Sequence, residues 1–477
     1  MRYERDGWHW GQRDNDLSTS ASTRAWQADL WLWPSIALAA FVAMCVVALT
    51  SAPQLVEPDD YAYRASIVGI TEGHLLTLST QQTRALAAQL AKSGSGPRLA
   101  AGPGGSPPSL TRWRWEQVSP GRWISEKNPG YPYLAAPFQL LGVIRLAPLF
   151  FGALACLGLF FGARRWLGSI GAAVAVGLFC SSGAALMFAW RDYMPTFTDA
   201  SLIAAGTGAL LWATLAEDAR MQRRTWVGLA GLLAIEAAVF VRYTDIVVLF
   251  WAVGGVIAVR RLRPTTLPPR ALRWWLGSVI LFAIGAASFN DSIYGGPTSS
   301  GYRPGEVTFS LAAVAPNLRH MPAHIISSLP MTVLGLAGFG WIVGRWTSRV
   351  RTPGTQNADA DRDFAIGLAL AGPWISVWAL YAAYTWTAQP GLSTLQTVRF
   401  YVPAIGLIAL LGAWLIAHLA ARLSLGAVLT VGVLTVMFSL GVWSFNAMRP
   451  NTTLRSPHCN IGEPGCQAPA PPRVGAG

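Results

Sequence analysis

Long apolar runs separated by short polar segments dominate this chain. Eleven of them are long enough, or nearly long enough, to cross the roughly 30 Å hydrocarbon core of a membrane as helices. The pattern predicts an all-α polytopic membrane protein with about eleven transmembrane helices. The two runs on either side of Arg242 are the shortest, and a single bent element is an alternative for them. The runs cover residues 30–50, 144–161, 169–190, 199–215, 226–241, 244–259, 274–289, 323–344, 364–384, 400–419 and 425–446.

The connections between the runs are unequal. Most are short, but residues 51–137 form a loop of 87 residues directly after the first run. Long ordered loops usually carry function, and a channel or carrier has no evident need for this one. Apolar positions between residues 67 and 78 recur at helical spacing, which predicts a helix on the membrane surface, with a second helix over 81–90. Residues 93–108 are rich in Gly, Pro and Ser and predict a flexible excursion.

Composition agrees with the membrane assignment and excludes other classes. Hydrophobic residues make up 52% of the 477 residues and charged residues 12%, a charged share about half that of a typical soluble chain. The apolar content excludes a disordered chain, and five cysteines are too few for a disulfide scaffold. The net charge of +13 comes from arginines at the ends of apolar runs rather than from one basic stripe, so we expect no nucleic-acid partner.

The distribution of arginine sets the expected orientation. Short loops on one side carry fifteen arginines and those on the other side carry five, which places the N-terminus in the cytoplasm and the C-terminus outside the plasma or inner membrane. The expected divisions are a cytoplasmic segment 1–29, a transmembrane domain 30–446 that includes the loop 51–137, and a disordered outer tail 447–477. Cys459 and Cys466 lie in that tail, where a local disulfide is one alternative.

An acidic cluster stands where the first run leaves the membrane. Glu57, Asp59 and Asp60 place three carboxylates within four residues. Two interpretations are open. Asp59 or Asp60 caps the helix that follows, or one of them is a general base held at the boundary of water and lipid, where a lipid-linked substrate and a polar acceptor meet.

Five segments on the expected outer side resemble the membrane glycosyltransferases of the GT-C superfamily, which include the protein O-mannosyltransferases and the lipid A aminoarabinose transferases. The segment EPDDYAYRASI follows the first run, and GRWISEKNPGYPYLAAPFQLLG precedes the second. Looser matches are MPTFTDASL at 194–202, FNDSIYGGPTSSGY at 289–302 and VRFYVPAIGLIAL at 398–410. A large soluble C-terminal domain, found in some relatives, is not evident here.

The resemblance implies a polyprenyl-phosphate sugar as donor and transfer with inversion to an outer glycan, lipid or protein acceptor. The chemistry then needs a carboxylate that takes the proton of the acceptor hydroxyl and a cation that holds the departing phosphate. The base candidates are Asp59 and Asp60, because the first acidic position of the family aligns with either. Arg399 is the first candidate for the phosphate and Arg242 the second; a membrane-interface anchor is the alternative for Arg399.

Further candidates for binding substrate come from the same matched segments. They are Asp199, Lys127, Tyr131 and Tyr302. Asp199 suits a divalent metal ion or the sugar hydroxyls, but capping of the fourth helix explains it equally well. We assign no metal ligand from the sequence, and a divalent ion remains an open expectation; membrane lipid is expected around the helices.

Two other function classes remain open. A transporter or flippase of lipid-linked sugars would use Glu236, in the middle of the fifth run, as a proton relay. Such a carrier is expected to contain an internal repeat, and none is evident. A non-catalytic assembly protein of the cell envelope is the third class, and it would not need the acidic pair after the first run.

Overall fold

The computed structural model describes residues 19–51, 58–74, 76–92, 114–262, 269–302, 305–350 and 358–449. The flexible excursion expected at 93–108 and the cysteines Cys459 and Cys466 lie outside these residues. Helices dominate the described chain. The first eight are α1 Thr19–Thr50, α2 Pro58–Thr71, α3 Thr80–Lys92, α4 Gly130–Leu140, α5 Leu146–Ser181, α6 Gly183–Trp190, α7 Thr196–Leu215 and α8 Met221–Val241. The other eight are α9 Ile246–Leu262, α10 Pro269–Tyr294, α11 Val314–Ser328, α12 Thr332–Val350, α13 Ala358–Ala382, α14 Thr394–Val398, α15 Ile405–Ala420 and α16 Gly426–Met448.

The predicted apolar runs lie on these helices. Within the described residues, seven helices are long and apolar enough to cross a membrane, or up to eight if one bent pair counts as a span. The chain is therefore an all-α multi-pass membrane protein, as predicted, while the number eleven stays a prediction. The run at 323–344 is not one straight helix, because α11 and α12 meet at 100°. Pro330 lies between them and has no N–H to continue a helix.

Two other predicted runs share one long helix that is broken at a glycine. Gly168, inside α5, has φ 76° and ψ −174°, so the backbone leaves the helical conformation there. The predicted runs 144–161 and 169–190 lie on opposite sides of this break. The second run includes another interruption at Ser182, whose hydroxyl accepts a hydrogen bond from the first turn of α6 and so caps it.

The first loop contains a small antiparallel sheet that was not predicted. Its strands are β1 Thr77–Ser79, β2 Trp115–Ser119 and β3 Arg122–Ser125, in the order β1-β3-β2. The sheet packs with α2 and α3 around a separate small core. That core comprises Tyr61, Ala65, Val68, Leu78, Leu86, Ala87 and Trp115.

The same core corrects the prediction for residues 67–78. A surface helix over this range is wrong, since α2 ends at Thr71 and β1 follows. Gly73 adopts φ 81°, a left-handed conformation that commonly terminates helices. Ile67 and Leu78 are buried in the main core and in this small core respectively, so both side chains face protein. The second predicted helix, over 81–90, is confirmed as α3.

Helices α5 and α7 pack with their backbones in close contact. Gly158 and Gly162 are one turn apart on α5, and a Cβ added to Gly162 would lie 2.4 Å from the carbonyl oxygen of Gly208 on α7. Small residues four apart allow such approach in membranes, where van der Waals packing replaces the hydrophobic effect between helices. This contact fixes α7, whose first turn lies beneath the cavity described below.

A methyl group at this contact is expected to destabilise the protein. We predict that Gly162→Ala lowers the free energy of unfolding by about 1–3 kcal/mol, because the methyl group overpacks the α5–α7 contact. The control is Gly340→Ala on α12, where an added Cβ has nothing within 4 Å; there the better helix propensity of Ala leaves stability equal or slightly higher. Unfolding of both variants in detergent measures the difference, and equal stabilities would contradict the packing argument.

Candidate active site

A polar cavity of about 220 Å³ lies at the end of the helix bundle that carries the first loop. Three cationic side chains and one carboxylate are among the described residues that line it: Lys127, Arg242, Arg399 and Asp59. Aromatic rings form much of the remaining wall. They belong to Tyr63, Tyr243, Tyr302, Phe309, Tyr381, Tyr384 and Phe400. The combination suits a ligand that has both an anionic group and a sugar-like face, because ring faces pack against apolar C–H surface while the cations hold charge.

Asp59 lies in the first turn of α2 and is held between two cations. Its Oδ1 is 2.9 Å from Lys127 Nζ, and its Oδ2 accepts a 2.8 Å hydrogen bond from Arg399 Nη1. Burial alone raises the pKa of this carboxyl, but Lys127 and Arg399 outweigh it and hold the pKa well below its usual range. Asp59 is therefore ionised at neutral pH, with 18% of its side chain exposed at the cavity.

Lys127 reaches Asp59 because it directly follows the sheet of the first loop. The hydroxyls of Ser66 on α2 and Ser125 at the end of β3 are 3.1 Å apart, and Ser125 also accepts from the backbone N–H of Lys127 at 3.2 Å. Burial disfavours the ammonium form, yet Asp59 and the neighbouring Glu126 raise the pKa of Lys127 well above its ordinary value. The ammonium also lies 5.0 Å from the ring centre of Tyr302.

Arg399 follows the short helix α14. A capping box fixes the start of this helix, in which Ser393 and Gln396 exchange hydrogen bonds between side chain and backbone. The guanidinium lies over two rings, 5.0 Å from the centre of Trp386 and 4.8 Å from that of Phe400. Cap and rings together hold the cation at the cavity wall, with 11% of its side chain exposed.

Arg242 lies at the turn between α8 and α9. Its Nη1 donates to the backbone carbonyl of Arg399 at 3.2 Å, and its Nη2 donates to the Thr196 hydroxyl at 3.4 Å. Its Nε is 3.3 Å from Asp199 Oδ2. The two arginines predicted to hold phosphate are thus adjacent.

Asp60 has a different environment from its neighbour. It forms a two-point ion pair with Arg191, with Nε–Oδ1 at 3.2 Å and Nη2–Oδ2 at 2.5 Å. Both side chains are almost completely buried, and Asp60 is not among the described residues that line the cavity. The structure therefore separates the two base candidates: Asp59 contacts the cavity and Asp60 anchors α2.

Of the four predicted substrate-binding residues, two line the cavity and two are buried away from it. Lys127 and Tyr302 line the cavity. Tyr131 does not, because it is fully buried and its hydroxyl donates to the backbone carbonyl of Asp192. Asp199 is fully buried behind Arg242 and does not reach the cavity surface either. Direct contact of Tyr131 or Asp199 with a substrate does not fit this geometry.

A divalent metal ion does not suit the cavity wall. Hard cations prefer several oxygen ligands, whereas both oxygens of Asp59 already face cationic nitrogens. Another acidic group among the described residues could hold an ion, since carboxylate oxygens of Glu116, Glu126 and Glu306 lie within 4.8 Å of one another. Arg114 lies 3.6 Å from Glu126 and 3.0 Å from Glu306, which neutralises part of that charge.

Sequence reasoning missed the aromatic lining except for Tyr302. A signal for part of it exists, because Tyr63 follows Asp59 by four residues and so shares its helix face. Likewise, Tyr243 and Phe400 directly follow the two arginines that were identified. Tyr381 and Tyr384 lie on or just after the last turn of α13, and nothing in the local sequence connects them with the first loop.

Comparison with solved structures identifies the fold. The oligosaccharyltransferase of Archaeoglobus fulgidus in its apo form superposes with a TM-score of 0.50 at 13% identity, over 90% of this chain and 57% of that chain. ArnT from Cupriavidus metallidurans, also apo, gives a TM-score of 0.46 at 17% identity, over 84% of this chain and 61% of that one. ArnT bound to undecaprenyl phosphate gives 0.43 at 15% identity, over 88% and 69%.

The oligosaccharyltransferase has the GT-C fold, and the likeness to it confirms the predicted GT-C-like fold. The chain spans less than two thirds of the length of the first two proteins. No protein-family model matches the sequence, and no curated protein matches it by sequence. The likeness concerns the fold alone, and the reaction has to be argued from the residues of the cavity.

The buried pair of Asp60 and Arg191 is expected to support stability. We predict that Asp60→Asn lowers the free energy of unfolding by about 3–5 kcal/mol, because it removes one charge from a buried, hydrogen-bonded ion pair. The control is Asp218→Asn, which removes a bidentate but exposed pair with Arg165 and should change stability little. Unfolding in detergent compares the two variants, and an Asp60→Asn protein as stable as wild type would contradict this role.

Proposed function

We propose that this protein is an integral-membrane glycosyltransferase that moves a sugar from a polyprenyl-phosphate donor to an acceptor outside the cytoplasm, with inversion. The observation that carries the proposal is the Asp59 carboxylate, held between Lys127 and Arg399 in a cavity lined with aromatic rings. The cavity contains a base for an acceptor hydroxyl, cations for a phosphate and ring faces for a sugar. The shared fold supports this class of enzyme.

The proposed step is one direct displacement. The acceptor hydroxyl oxygen attacks the anomeric carbon, and the bond from that carbon to the phosphate oxygen breaks. The electron pair of that bond leaves with polyprenyl phosphate, and the hydroxyl proton passes to Asp59. Arg399, Arg242 and Lys127 stabilise the charge that develops on the leaving phosphate, so the leaving group needs no separate general acid.

Asp59 is a weak base while two cations hold it, because they favour its ionised form so strongly. A bound donor phosphodiester carries one negative charge, as a carboxylate does, and its two free oxygens compete with Asp59 for the same cations. Lys127 and Arg399 then turn towards the phosphate, and Asp59 is released as a stronger base. Donor binding would thus precede activation of the base, which protects the donor from transfer to water before it is fully seated.

Loss of the Asp59 carboxylate is expected to abolish transfer. Slow release of free sugar from radiolabelled polyprenyl-phosphate mannose, arabinose, glucose and galactose, with water as surrogate acceptor, measures the reaction without a known acceptor. We predict that Asp59→Asn lowers this rate by about 10²–10⁴-fold, the usual contribution of a general base. Asp291→Asn, an exposed carboxylate beyond the cavity lining, is the matched control and should keep the wild-type rate.

Several results would count against the proposal. A wild-type protein that neither releases sugar nor binds any of these donors would favour a carrier or a non-catalytic envelope protein. If the Asp59→Asn variant releases sugar at the wild-type rate, Asp59 is not the base. The stereochemistry of the released sugar tests inversion, and the sugar released fastest identifies the donor.

The competition between Asp59 and phosphate gives a second, separate prediction. Undecaprenyl phosphate serves as the probe, and its affinity is measured by titration in nanodiscs. We predict that Asp59→Asn binds this lipid about tenfold more tightly than wild type, a change of about 1.4 kcal/mol, because the substitution removes the carboxylate that competes with phosphate for Lys127 and Arg399. Arg399→Gln and Lys127→Gln should bind it more weakly. Weaker lipid binding by Asp59→Asn would contradict the competition between Asp59 and phosphate. The role of Asp59 as the base would then be decided by the sugar-release assay.

The predicted orientation places this cavity outside the cytoplasm, where lipid-linked sugars would meet glycan, lipid or protein acceptors. The cavity lies on the same side of the bundle as the first loop, which supports one location for both. Glu236, on which the carrier hypothesis depends, accepts a 3.0 Å hydrogen bond from Ser278 on α10 and does not line the cavity. This contact gives the carrier hypothesis no further support.

A further inference from the structure

Two carboxylates behind the cavity have no evident place in the reaction. Asp199, in the first turn of α7, and Asp245, in the turn before α9, are both fully buried and interact with each other. Within the described residues, none of their four carboxylate oxygens has a hydrogen-bond donor. Burial of a carboxylate that accepts no hydrogen bond is costly, so a fold that retains two of them side by side requires a physical reason.

The reason lies in the cation that they face. Arg242 Nε is 3.3 Å from Asp199 Oδ2, and the backbone N–H of Asp245 donates to the Arg242 carbonyl at 2.9 Å. The Asp199 carboxylate thus lies at the Nε side of the guanidinium, and the backbone of Asp245 closes the turn that begins at Arg242. Its two other nitrogens donate to Thr196 and to the Arg399 carbonyl, which leaves the far side of the group to line the cavity.

We infer that Asp199 and Asp245 act as a pair of positioning residues that hold Arg242 in place for the phosphate of the donor, and that the pair retains one proton. Two adjacent buried carboxylates repel each other, and the single guanidinium compensates only one of them. Tyr381 from α13 also faces the pair, and Tyr63 from α2 faces Arg242; both are neutral phenols that add no cation. This inference rests on the proposed function, because it assigns Arg242 to the donor phosphate.

A double-mutant cycle tests the pair separately from the reaction. Asp199→Asn, Asp245→Asn and the double variant are made both in wild type and in the Arg242→Gln background, with Asp291→Asn as an exposed control. The affinity for undecaprenyl phosphate and the thermal unfolding midpoint are measured for each full-length protein. A merely structural role would change the affinity for the lipid equally in both backgrounds, whereas positioning of Arg242 couples the two sites in that affinity.

The single variants should each weaken undecaprenyl phosphate binding less than threefold, because one carboxylate remains to balance Arg242. The double variant should weaken it at least tenfold in the wild-type background and have no further effect in the Arg242→Gln background. The positioning role is wrong if the double variant loses the same affinity in the wild-type and Arg242→Gln backgrounds, or if it loses none. If either single variant loses as much affinity for undecaprenyl phosphate as the double variant does, the claim that the pair retains one proton is wrong.

The same variants distinguish a failure of this inference from a failure of the proposed function. If wild type binds no undecaprenyl phosphate, the proposed donor class is wrong, and the unfolding midpoints still decide whether the pair holds Arg242. Coupling of the pair with Arg242 in the unfolding midpoint would then support the contact without the donor. Absence of that coupling would overturn the inference.

Discussion

The cavity depends on a single carboxylate shared by two cations. Asp59 belongs to the first loop, Lys127 to the end of its sheet, and Arg399 to the segment before α15, 340 residues further along the chain. Few groups near the membrane can compensate a buried charge, so each partner is costly without the others. This ion triad therefore does more than line a pocket: it joins the first loop to the segment before α15 and brings the aromatic walls together around one space.

The adjacent residue shows how the chain divides structure from chemistry. Successive residues on a helix point about 100° apart, so Asp59 faces the cavity while Asp60 faces the bundle and Arg191. The Asp60 pair is inaccessible to a substrate, yet it fixes the first turn of α2 and thereby the direction of Asp59. In the inference above, Asp199 and Asp245 orient Arg242 in the same way. Carboxylates that no substrate touches thus orient the groups that a substrate would contact.

The predictable part of this architecture is the part that local sequence encodes. Apolar runs identified the helices, and the position of Asp59, Arg242 and Arg399 at the ends of runs identified three cavity residues. The choice between Asp59 and Asp60 could not be made, because it depends on Arg191, 131 positions away. The sheet was missed for a related reason: strands of three to five residues carry little periodicity, and their pairing across residues 79–115 is tertiary information.

The distribution of charge also discriminates between a transferase and a carrier more sharply than the fold does, since one fold hosts many functions. A carrier must stabilise charge along a path through the hydrocarbon. Here, Glu236 lies beside a groove of apolar side chains between α8 and α10, and Ser278 donates a hydrogen bond to it. The three cations of the cavity instead lie together at one end of the bundle; they are Lys127, Arg242 and Arg399. Cations collected at a single boundary suit an anion that stays at the membrane surface while the group attached to it departs. That requirement is the one a lipid-phosphate leaving group imposes.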